Sequence, residues 1–135
     1  MQIRFEGKVV IVTGAAHGFG RAIALAFAER GALVYGCDIL PDELAETQSL
    51  CEDAGGVCHV ATVDVRQREA VFAFVEGILA THAKVDILVN NAGGVSGQVG
   101  HPLETVSQED WDAIYAVNTR AAFFFAQAVA PSMKA

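Results

Sequence analysis

The segment Lys8–Gly20, which reads KVVIVTGAAHGFG, decides the fold of this chain. Its first part, Lys8–Val12, is mostly β-branched and does not alternate with polar residues, which is typical of a strand buried on both faces. Three glycines follow, Gly14, Gly18 and Gly20, where the chain must turn from the strand into a helix. Such a turn is either a plain structural loop or a loop that presents backbone N–H groups and a helix N-terminus to an anion.

Each glycine of this turn has a role in the second interpretation, in which the loop binds a dinucleotide. Gly14 permits a tight turn, Gly18 lets the backbone approach a pyrophosphate, and Gly20 lets the helix pack closely on the sheet. We call residues 13–20 the glycine loop. The residues of this loop that we predict to bind the cofactor are Gly14, Ala16, His17, Gly18, Phe19 and Gly20.

Three more apolar runs, separated by helical spacing, continue the pattern along the chain. The predicted strands are Lys8–Val12, Ala32–Cys37, Val57–Val63 and Asp86–Val89. The predicted helices run from 18 to 30, from 41 towards 55, from 67 to 82, and from 108 to the end of the chain. This alternation predicts an α/β fold, a Rossmann-type doubly wound parallel sheet with ligands at the carboxyl ends of its strands. No linker divides the chain, so we expect residues 1–135 to form a single dinucleotide-binding (Rossmann) domain.

Local signals mark where several helices begin and end. Gly31 is predicted to be the C′ residue of the first helix, and Pro41 lies in the first turn of the second. Ser107 and Asp110 have the spacing of a capping box, in which a serine hydroxyl and an acidic side chain satisfy the first N–H groups of a helix.

Composition and charge exclude several classes of protein. With 53% hydrophobic and 19% charged residues, the chain has the composition of a folded domain with a core. Its net charge of −7 opposes binding to nucleic acid or to an anionic membrane surface. No apolar stretch is long enough to span a bilayer, and Met1–Glu6 has no apolar signal region.

The cysteines and histidines do not indicate a disulfide framework or a metal site. Cys37, Cys51 and Cys58 form an odd set without paired spacing, which favours free thiols and a reducing cytoplasm as the location. The histidines are dispersed along the chain without the spacing of metal ligands, so no metal site is predicted.

Asp38, at the end of the second predicted strand, is the first candidate residue outside the glycine loop. A carboxylate there can accept hydrogen bonds from the adenosine ribose hydroxyls, with Ile39 beside it. It would also repel a 2′-phosphate, which predicts NAD as the cofactor in preference to NADP; His17 and Arg21 could offset part of that repulsion. The alternative is a solvated acid at a strand end, or a residue that forms a turn.

The segment Asn90–Gly93, NNAG, follows the fourth predicted strand. Its small residues leave room for a flat cofactor, and its amides can hold neighbouring backbone groups, although a plain Asn-Gly turn would have similar residues. Asn91, Ala92 and Gly93 are therefore predicted to bind the cofactor. The glycine spacing after Thr13 and the NNAG tetrad together resemble the short-chain dehydrogenase/reductase family, and the resemblance covers essentially the whole chain.

The resemblance implies further site residues. Asp64 and Val65, after the third strand, would flank the adenine ring; Asp64 has the alternative role of N-cap for the next helix. Asn118 is the one candidate catalytic residue, because in the family this asparagine shapes a water-linked proton path to the catalytic lysine. It shares a helix face with Trp111 and Tyr115, and its alternative is a buried amide that bonds to a helix carbonyl.

The resemblance also implies an activity and partners. The family transfers a hydride between a nicotinamide cofactor and a small-molecule alcohol or carbonyl substrate, with acid–base catalysis from a serine and a Tyr-x-x-x-Lys pair. Complete members commonly form homo-oligomers, dimers or tetramers, through the helix that corresponds to the one containing Phe123–Phe125.

The catalytic serine and Tyr-x-x-x-Lys are not found in the sequence. Tyr35 lies inside a strand, and Tyr115 is followed four positions later by Thr119 rather than by lysine. We therefore expect a cofactor-binding N-terminal half, truncated after the fourth strand and the helix that follows, and inactive by itself. The alternatives are a non-catalytic dinucleotide-binding fragment or module and, with less support from the glycine loop, a methyltransferase with a similar sheet.

Overall fold

Four parallel strands form the centre of the structure, a computed structural model that describes residues 2–135. Met1 lies outside the described residues, so the predicted 1–135 domain is described from Gln2 onwards. The strands are β1 (Val9–Thr13), β2 (Leu33–Asp38), β3 (Val57–Thr62) and β4 (Ile87–Val89). The α-helices are α1 (Gly18–Ala28), α2 (Pro41–Asp53), α3 (Arg68–His82), α4 (Gln108–Tyr115) and α5 (Ala121–Lys134). A π-helical turn, Ala116–Arg120, joins α4 to α5, and a short 3₁₀ helix, Leu103–Thr105, precedes α4.

The strands lie in the order β3-β2-β1-β4, and all neighbouring pairs are parallel. The chain moves outward from β1 to β2 and β3, and then returns to the other side of β1 to form β4. Strand order therefore reverses between β1 and β4, where the loops that leave the two strands separate and open a crevice. The predicted Rossmann-type doubly wound parallel sheet is confirmed.

The central strand, β1, supplies both hydrophobic cores. All five of its residues are buried, which explains the absence of polar alternation in the sequence. Val9 and Ile11 pack into one core, and Val10 and Val12 into the other, because successive side chains of a strand point to opposite faces. The first core contains buried residues of α3 and α5, namely Val71, Val75, Ile78, Ala121, Phe125 and Val129. The second contains buried residues of α1 and α2, namely Ala24, Ala28, Leu44 and Cys51.

The end of α1 differs by one position from the prediction. Glu29 is the C-cap, so Gly31 is the second residue beyond it rather than C′. The N–H groups of Arg30 and Gly31 donate to the carbonyls of Phe27 and Ala28, three residues back, at 3.0 and 3.1 Å. These bonds tighten the last turn and move the left-handed residue, Gly31 with φ +87°, one position along the chain.

The cap of α4 is confirmed in part. The Ser107 hydroxyl accepts from the backbone N–H of Asp110 at 3.1 Å, as predicted for an N-cap serine. The Asp110 carboxylate, however, accepts from that same hydroxyl at 2.8 Å and does not complete a reciprocal box through the backbone. Aspartate is one methylene shorter than the glutamate or glutamine of a full capping box, which limits its reach.

The helix face shared by Trp111, Tyr115 and Asn118 is exposed, which corrects the alternative of a buried Asn118 amide. Trp111 is 65% exposed and Tyr115 is 49% exposed. The segment instead packs through α5 on α3, with Ala121 and Phe125 inside the first core. Helical spacing identified the residues that share a face but not which face is covered.

The carboxylate of Asp86 joins the start of β4 to the start of β1. It accepts a hydrogen bond from the N–H of Val9 at 2.9 Å, and Lys8 and Lys84 lie 3.5 and 3.4 Å away. The hydrogen bond from Val9, followed by contacts with Lys84 and Lys8, lowers the pKa of Asp86 below its ordinary value of 3.8, although burial opposes the shift. Its charged form therefore stabilises the folded state.

We predict that Asp86→Ala lowers the free energy of unfolding by about 1–3 kcal/mol, because the buried N–H of Val9 loses its partner. Asp86→Asn keeps an acceptor and should cost less. Because the folded pKa is depressed, the advantage of the wild type over Asp86→Asn is present above pH 3.8 and lost as pH falls through the lower folded value. Denaturant unfolding across pH measures this, with the exposed Asp112→Ala as control; a wild-type advantage that grows in acid would contradict it.

Candidate functional site

A cleft of about 550 Å³ opens at the carboxyl ends of the strands, where the strand order reverses. We call it the switch-point cleft. Eleven of the predicted cofactor-binding residues line it: Gly14, His17, Gly18, Phe19, Asp38, Ile39, Asp64, Val65, Asn91, Ala92 and Gly93. Residues that were not predicted also line it: Leu40, Val63, Arg66, Gly94, Ser96 and Val117. The cleft thus brings together loops from all four strands.

Two predicted residues of the glycine loop lie behind the wall of the cleft. Ala16 is fully buried, and its N–H donates to the Asp38 carboxylate at 3.2 Å. Gly20 is also buried, and a Cβ at this position would collide with the carbonyl oxygen of Gly14. Gly20 therefore serves close packing of α1, although against the backbone of Gly14 rather than on the sheet, and it does not contribute to the cleft wall.

The N-terminus of α1 faces the cleft without a side-chain cap. His17 is the N-cap residue, its side chain makes no capping hydrogen bond, and the first turn of α1 contains no acidic residue. The first N–H groups of the helix and the positive end of its dipole thus remain available to an anion. Gly18, with φ +56°, begins the helix, and a Cβ added there would meet no protein atom within 4 Å.

Asp38 is held at the end of β2 by backbone donors. One carboxylate oxygen accepts from the N–H of Ala16 at 3.2 Å and the other from the N–H of Ile39 at 2.7 Å. Each oxygen therefore has one backbone partner and at least one remaining lone pair. These two bonds orient a carboxylate that also lines the cleft.

Arg21 does not line the cleft and is already engaged. Its Nη2 atom lies 2.9 Å from the Glu46 carboxylate and donates to the carbonyl of Ala16 at 2.6 Å. Among the described residues, the basic side chains on the cleft wall are those of His17 and Arg66.

Asp64 does not cap α3, which corrects the alternative role considered from the sequence. The N-cap of α3 is Gln67, and it makes no side-chain capping bond. The Asp64 carboxylate instead accepts from Nε and Nη2 of Arg66 at 2.9 and 2.8 Å, and from the Arg66 N–H at 3.0 Å. The bond with the Arg66 side chain is the main reason that the pKa of Asp64 is lowered.

The NNAG segment joins β4 to the glycine loop. The Thr13 hydroxyl accepts from the N–H groups of Asn91 and Ala92 at 3.0 and 2.9 Å. In return, the Asn91 amide donates to the carbonyls of Thr13 and Gly14 at 3.1 and 3.2 Å. The segment is therefore a cross-strand connection at the switch point rather than a plain Asn-Gly turn.

Asn118 lies in the π-helical turn, next to the cleft but outside its wall. Its amide Nδ2 donates to the carbonyls of Gly94 and Ile114 at 2.6 and 2.9 Å, and its Oδ1 accepts from the Gly94 N–H at 3.1 Å. The bond to a helix carbonyl agrees with the alternative interpretation, but the residue is exposed and not buried. Asn118 thus fixes the segment after the NNAG tetrad against the helix.

A separate cluster of side chains on β2, β3 and α3 was not predicted from the sequence. The Tyr35 hydroxyl lies 2.6 Å from Nε2 of His82, and the ring of His59 lies 5.0 Å from the Tyr35 ring. Burial raises the pKa of Tyr35. Tyr35 and His59 border a groove of about 320 Å³ beside β3. No group of three or more metal-ligating side chains is found within residues 2–135, and no helix there is long and apolar enough to cross a membrane.

The geometry defines a Rossmann-type sheet with a glycine loop and a polar cleft at its switch point. A family model described as short chain dehydrogenase matches residues 8–135. The chain therefore belongs to the short-chain dehydrogenase family.

Individual relatives agree with this assignment. The chain is 36% identical over 131 residues to 3-oxoacyl-(acyl-carrier-protein) reductase FabG of Thermotoga maritima, covering 97% of this chain and 52% of that protein. A metagenomic short-chain oxidoreductase solved in complex with NADP is 38% identical with a TM-score of 0.90, covering 95% of this chain and 57% of that one. An NAD⁺-bound xylitol dehydrogenase is 30% identical with a TM-score of 0.89, covering 97% and 50%. The chain spans about half the length of the curated relatives that it matches.

We predict that Gly20→Ala lowers the free energy of unfolding by at least about 2 kcal/mol, because the added methyl group meets the backbone of Gly14 and not a flexible side chain. The matched control is Gly77→Ala, a helical glycine of α3 whose Cβ would meet nothing within 4 Å. It should be neutral or stabilising, since alanine is the better helix former. Thermal or urea unfolding of both variants tests this; equal stability of the two would show that α1 can move away from the loop.

Proposed function

We propose that this chain is the cofactor-binding part of an oxidoreductase that transfers a hydride between NAD and a small-molecule alcohol or carbonyl substrate. The observation that carries the proposal is the uncapped N-terminus of α1, which faces a cleft that the carboxylate of Asp38 also lines. Free N–H groups and a helix dipole suit a pyrophosphate, and a carboxylate suits ribose hydroxyls. Family membership and relatives solved with NADP or NAD⁺ support a nicotinamide cofactor.

The residues of the cleft fit such a dinucleotide. Gly18 leaves open space where a side chain would stand in the way of the pyrophosphate. The remaining lone pairs of Asp38 can accept from the ribose hydroxyls, and the exposed side chain of Ile39 offers an apolar surface to the adenine. The volume of about 550 Å³ lies within the usual range of cofactor sites.

Asp64 and Val65 would border the adenine ring in this arrangement, since both line the cleft beyond β3. Because Arg66 neutralises much of the charge of Asp64, that end of the cleft suits an uncharged base. Asn91 acts indirectly, by holding the backbone of Thr13 and Gly14.

The charges around Asp38 support NAD over NADP. A 2′-phosphate would lie near its carboxylate, and unit charges roughly 4 Å apart repel by about 4 kcal/mol at an effective dielectric of about 20, before screening. Arg21 is one of the two basic residues that could offset this repulsion. Its guanidinium is already engaged by the Glu46 carboxylate and the Ala16 carbonyl. The other, His17, lies 4.0 Å from the Glu43 carboxylate and is more than half exposed.

The bound nicotinamide would supply or accept the hydride, while the chain binds and orients the cofactor. Neither tyrosine is placed for proton transfer at the cleft. Tyr35 bonds to His82, the last residue of α3, and Tyr115 lies outside the cleft wall. Asn118 is proposed to hold the Gly94 backbone at the edge of the cleft, where a proton path to a catalytic lysine of the complete enzyme would pass.

The second candidate is a dinucleotide-binding module without chemistry, and the positions of Tyr35 and Tyr115 favour it for the chain taken by itself. Cofactor titration and NAD reduction with simple alcohols, both measured on the protein at its full encoded length, separate the two proposals. Binding without reduction supports the module. For the complete enzyme we also propose a dimer or tetramer, because Trp111 and Phe123 expose large aromatic surface on the helical segment that contains α4 and α5.

We predict that Asp38→Asn shifts the ratio of NADP to NAD affinity towards NADP by about tenfold, which corresponds to about 1.4 kcal/mol. The neutral amide removes the repulsion but keeps an oxygen for the Ile39 N–H. The control is Asp42→Asn, which removes an exposed carboxylate from the first turn of α2. Paired titrations of both cofactors measure the ratio; equal shifts in the two variants would mean that only net charge matters.

We predict that Gly18→Val weakens NAD binding at least about tenfold, because its side chain would occupy the space next to the α1 N-terminus. The residue has φ +56°, so some loss of stability is also expected. Gly55→Val is the matched control, since Gly55 has φ +80° and open space but lies away from the cleft. Circular dichroism and calorimetric titration follow fold and affinity. The proposed function fails if the wild type binds no NAD, or if both variants bind it equally.

A further inference from the structure

A group of buried hydrogen bonds lies behind the glycine loop, on the side away from the cleft. Thr47 of α2 is fully buried, and its hydroxyl lies 2.8 Å from the carbonyl oxygen of Ala15 and 3.2 Å from that of Ala16. An ordinary threonine within a helix bonds to the carbonyl four residues earlier. Here that oxygen, of Glu43, is 3.2 Å away, so the shortest contact crosses to the glycine loop.

Arg21 completes this group from α1. Its Nε donates to the Ala16 carbonyl at 3.1 Å and to the Thr47 hydroxyl at 3.0 Å. Its Nη2 donates to the same Ala16 carbonyl at 2.6 Å and to the carbonyl of Glu43 at 3.1 Å, and pairs with Glu46 at 2.9 Å. One planar guanidinium thus joins the glycine loop to α2 at several points.

These bonds determine which way the peptide groups of the loop face. In a trans peptide the C=O and the following N–H point in opposite directions. With the Ala16 carbonyl fixed towards α2, the N–H of His17 is directed the other way, towards the cleft that His17 lines. In the preceding peptide, the Ala15 carbonyl meets Thr47 while the Ala16 N–H meets Asp38, on the side of the ribose site.

We propose that Thr47 and Arg21 are positioning residues for the cofactor's pyrophosphate: together they hold the Ala16 carbonyl away from the cleft and so direct the N–H of His17 into it. The inference rests on the proposed function and deepens it. Neither residue lines the cleft, so each acts through the backbone. If the hydroxyl of Thr47 is lost, the carbonyls of Ala15 and Ala16 both lose a donor, so their peptides can rotate, while Asp38 keeps its bond from the Ile39 N–H.

The test compares two ligands that differ in the pyrophosphate. ADP-ribose carries it, whereas adenosine contacts only the adenine and ribose parts of the cleft. In the protein at its full encoded length, Thr47→Val should weaken ADP-ribose binding about tenfold or more and change adenosine binding less than about twofold. Thr47→Ser, which keeps the hydroxyl, should restore ADP-ribose affinity.

The control is Thr81→Val in α3, where the hydroxyl makes only the ordinary bond to the Gly77 carbonyl four residues earlier. It should leave both affinities unchanged. Arg21→Lys is measured in parallel, because lysine keeps the charge but not the fork of donors, and it should show the same selective loss even if Thr47→Val does not fold.

Calorimetric and ligand-observed NMR titrations give the affinities. Selective loss of ADP-ribose affinity supports the proposal. Unchanged ADP-ribose affinity in the variants, or an equal loss for adenosine, overturns it while the proposed function stands. A wild-type protein that binds neither ligand overturns the proposed function and this inference together.

Discussion

The hydrogen bonds between Asn91 and the end of β1 are the interaction on which the cleft depends. They satisfy the carbonyls of Thr13 and Gly14 just where the sheet can no longer pair them, because β1 and β4 diverge at the switch point. A buried carbonyl without a hydrogen-bond partner costs free energy, which would favour other conformations of the loop. The Thr13 hydroxyl returns two bonds to the N–H groups that follow β4, so the two sides of the cleft are fixed to each other.

The glycine loop is therefore held from two directions, by Asn91, which also lines the cleft, and by Thr47 and Arg21, which do not. Asn91 holds its first residues from β4, and Thr47 with Arg21 holds the next two from behind. This arrangement leaves the first N–H groups of α1 facing the cleft, which the carboxylate of Asp38 also lines. A site prepared in this way loses little further freedom when a ligand arrives, which favours affinity.

The sequence predicts the features that follow from local spacing. It does not predict the features that depend on which helices and strands contact each other. The strand–helix alternation, the three glycines and Asp38 were readable because each lies at the end of a strand, where a parallel sheet collects its ligands. The role of Thr47 could not be predicted, because its partners are backbone oxygens more than thirty positions away. In the sequence it does not differ from any other helical threonine. The exposure of Asn118 also could not be read, since spacing defines a helix face but not its cover.

The contacts at the switch point are also distant in sequence, since the amide of Asn91 and the carbonyl of Thr13 lie 78 positions apart. Closing so long a loop is entropically costly, and contacts of high sequence separation slow folding. We expect this junction to close after the β1–β2–β3 side of the sheet has formed. An anion that binds in the cleft only when β4 has docked would stabilise that state by mass action, and the stabilisation would grow with ligand concentration. The switch-point cleft, where the ligand binds, would then also be the part of the domain that forms last during folding.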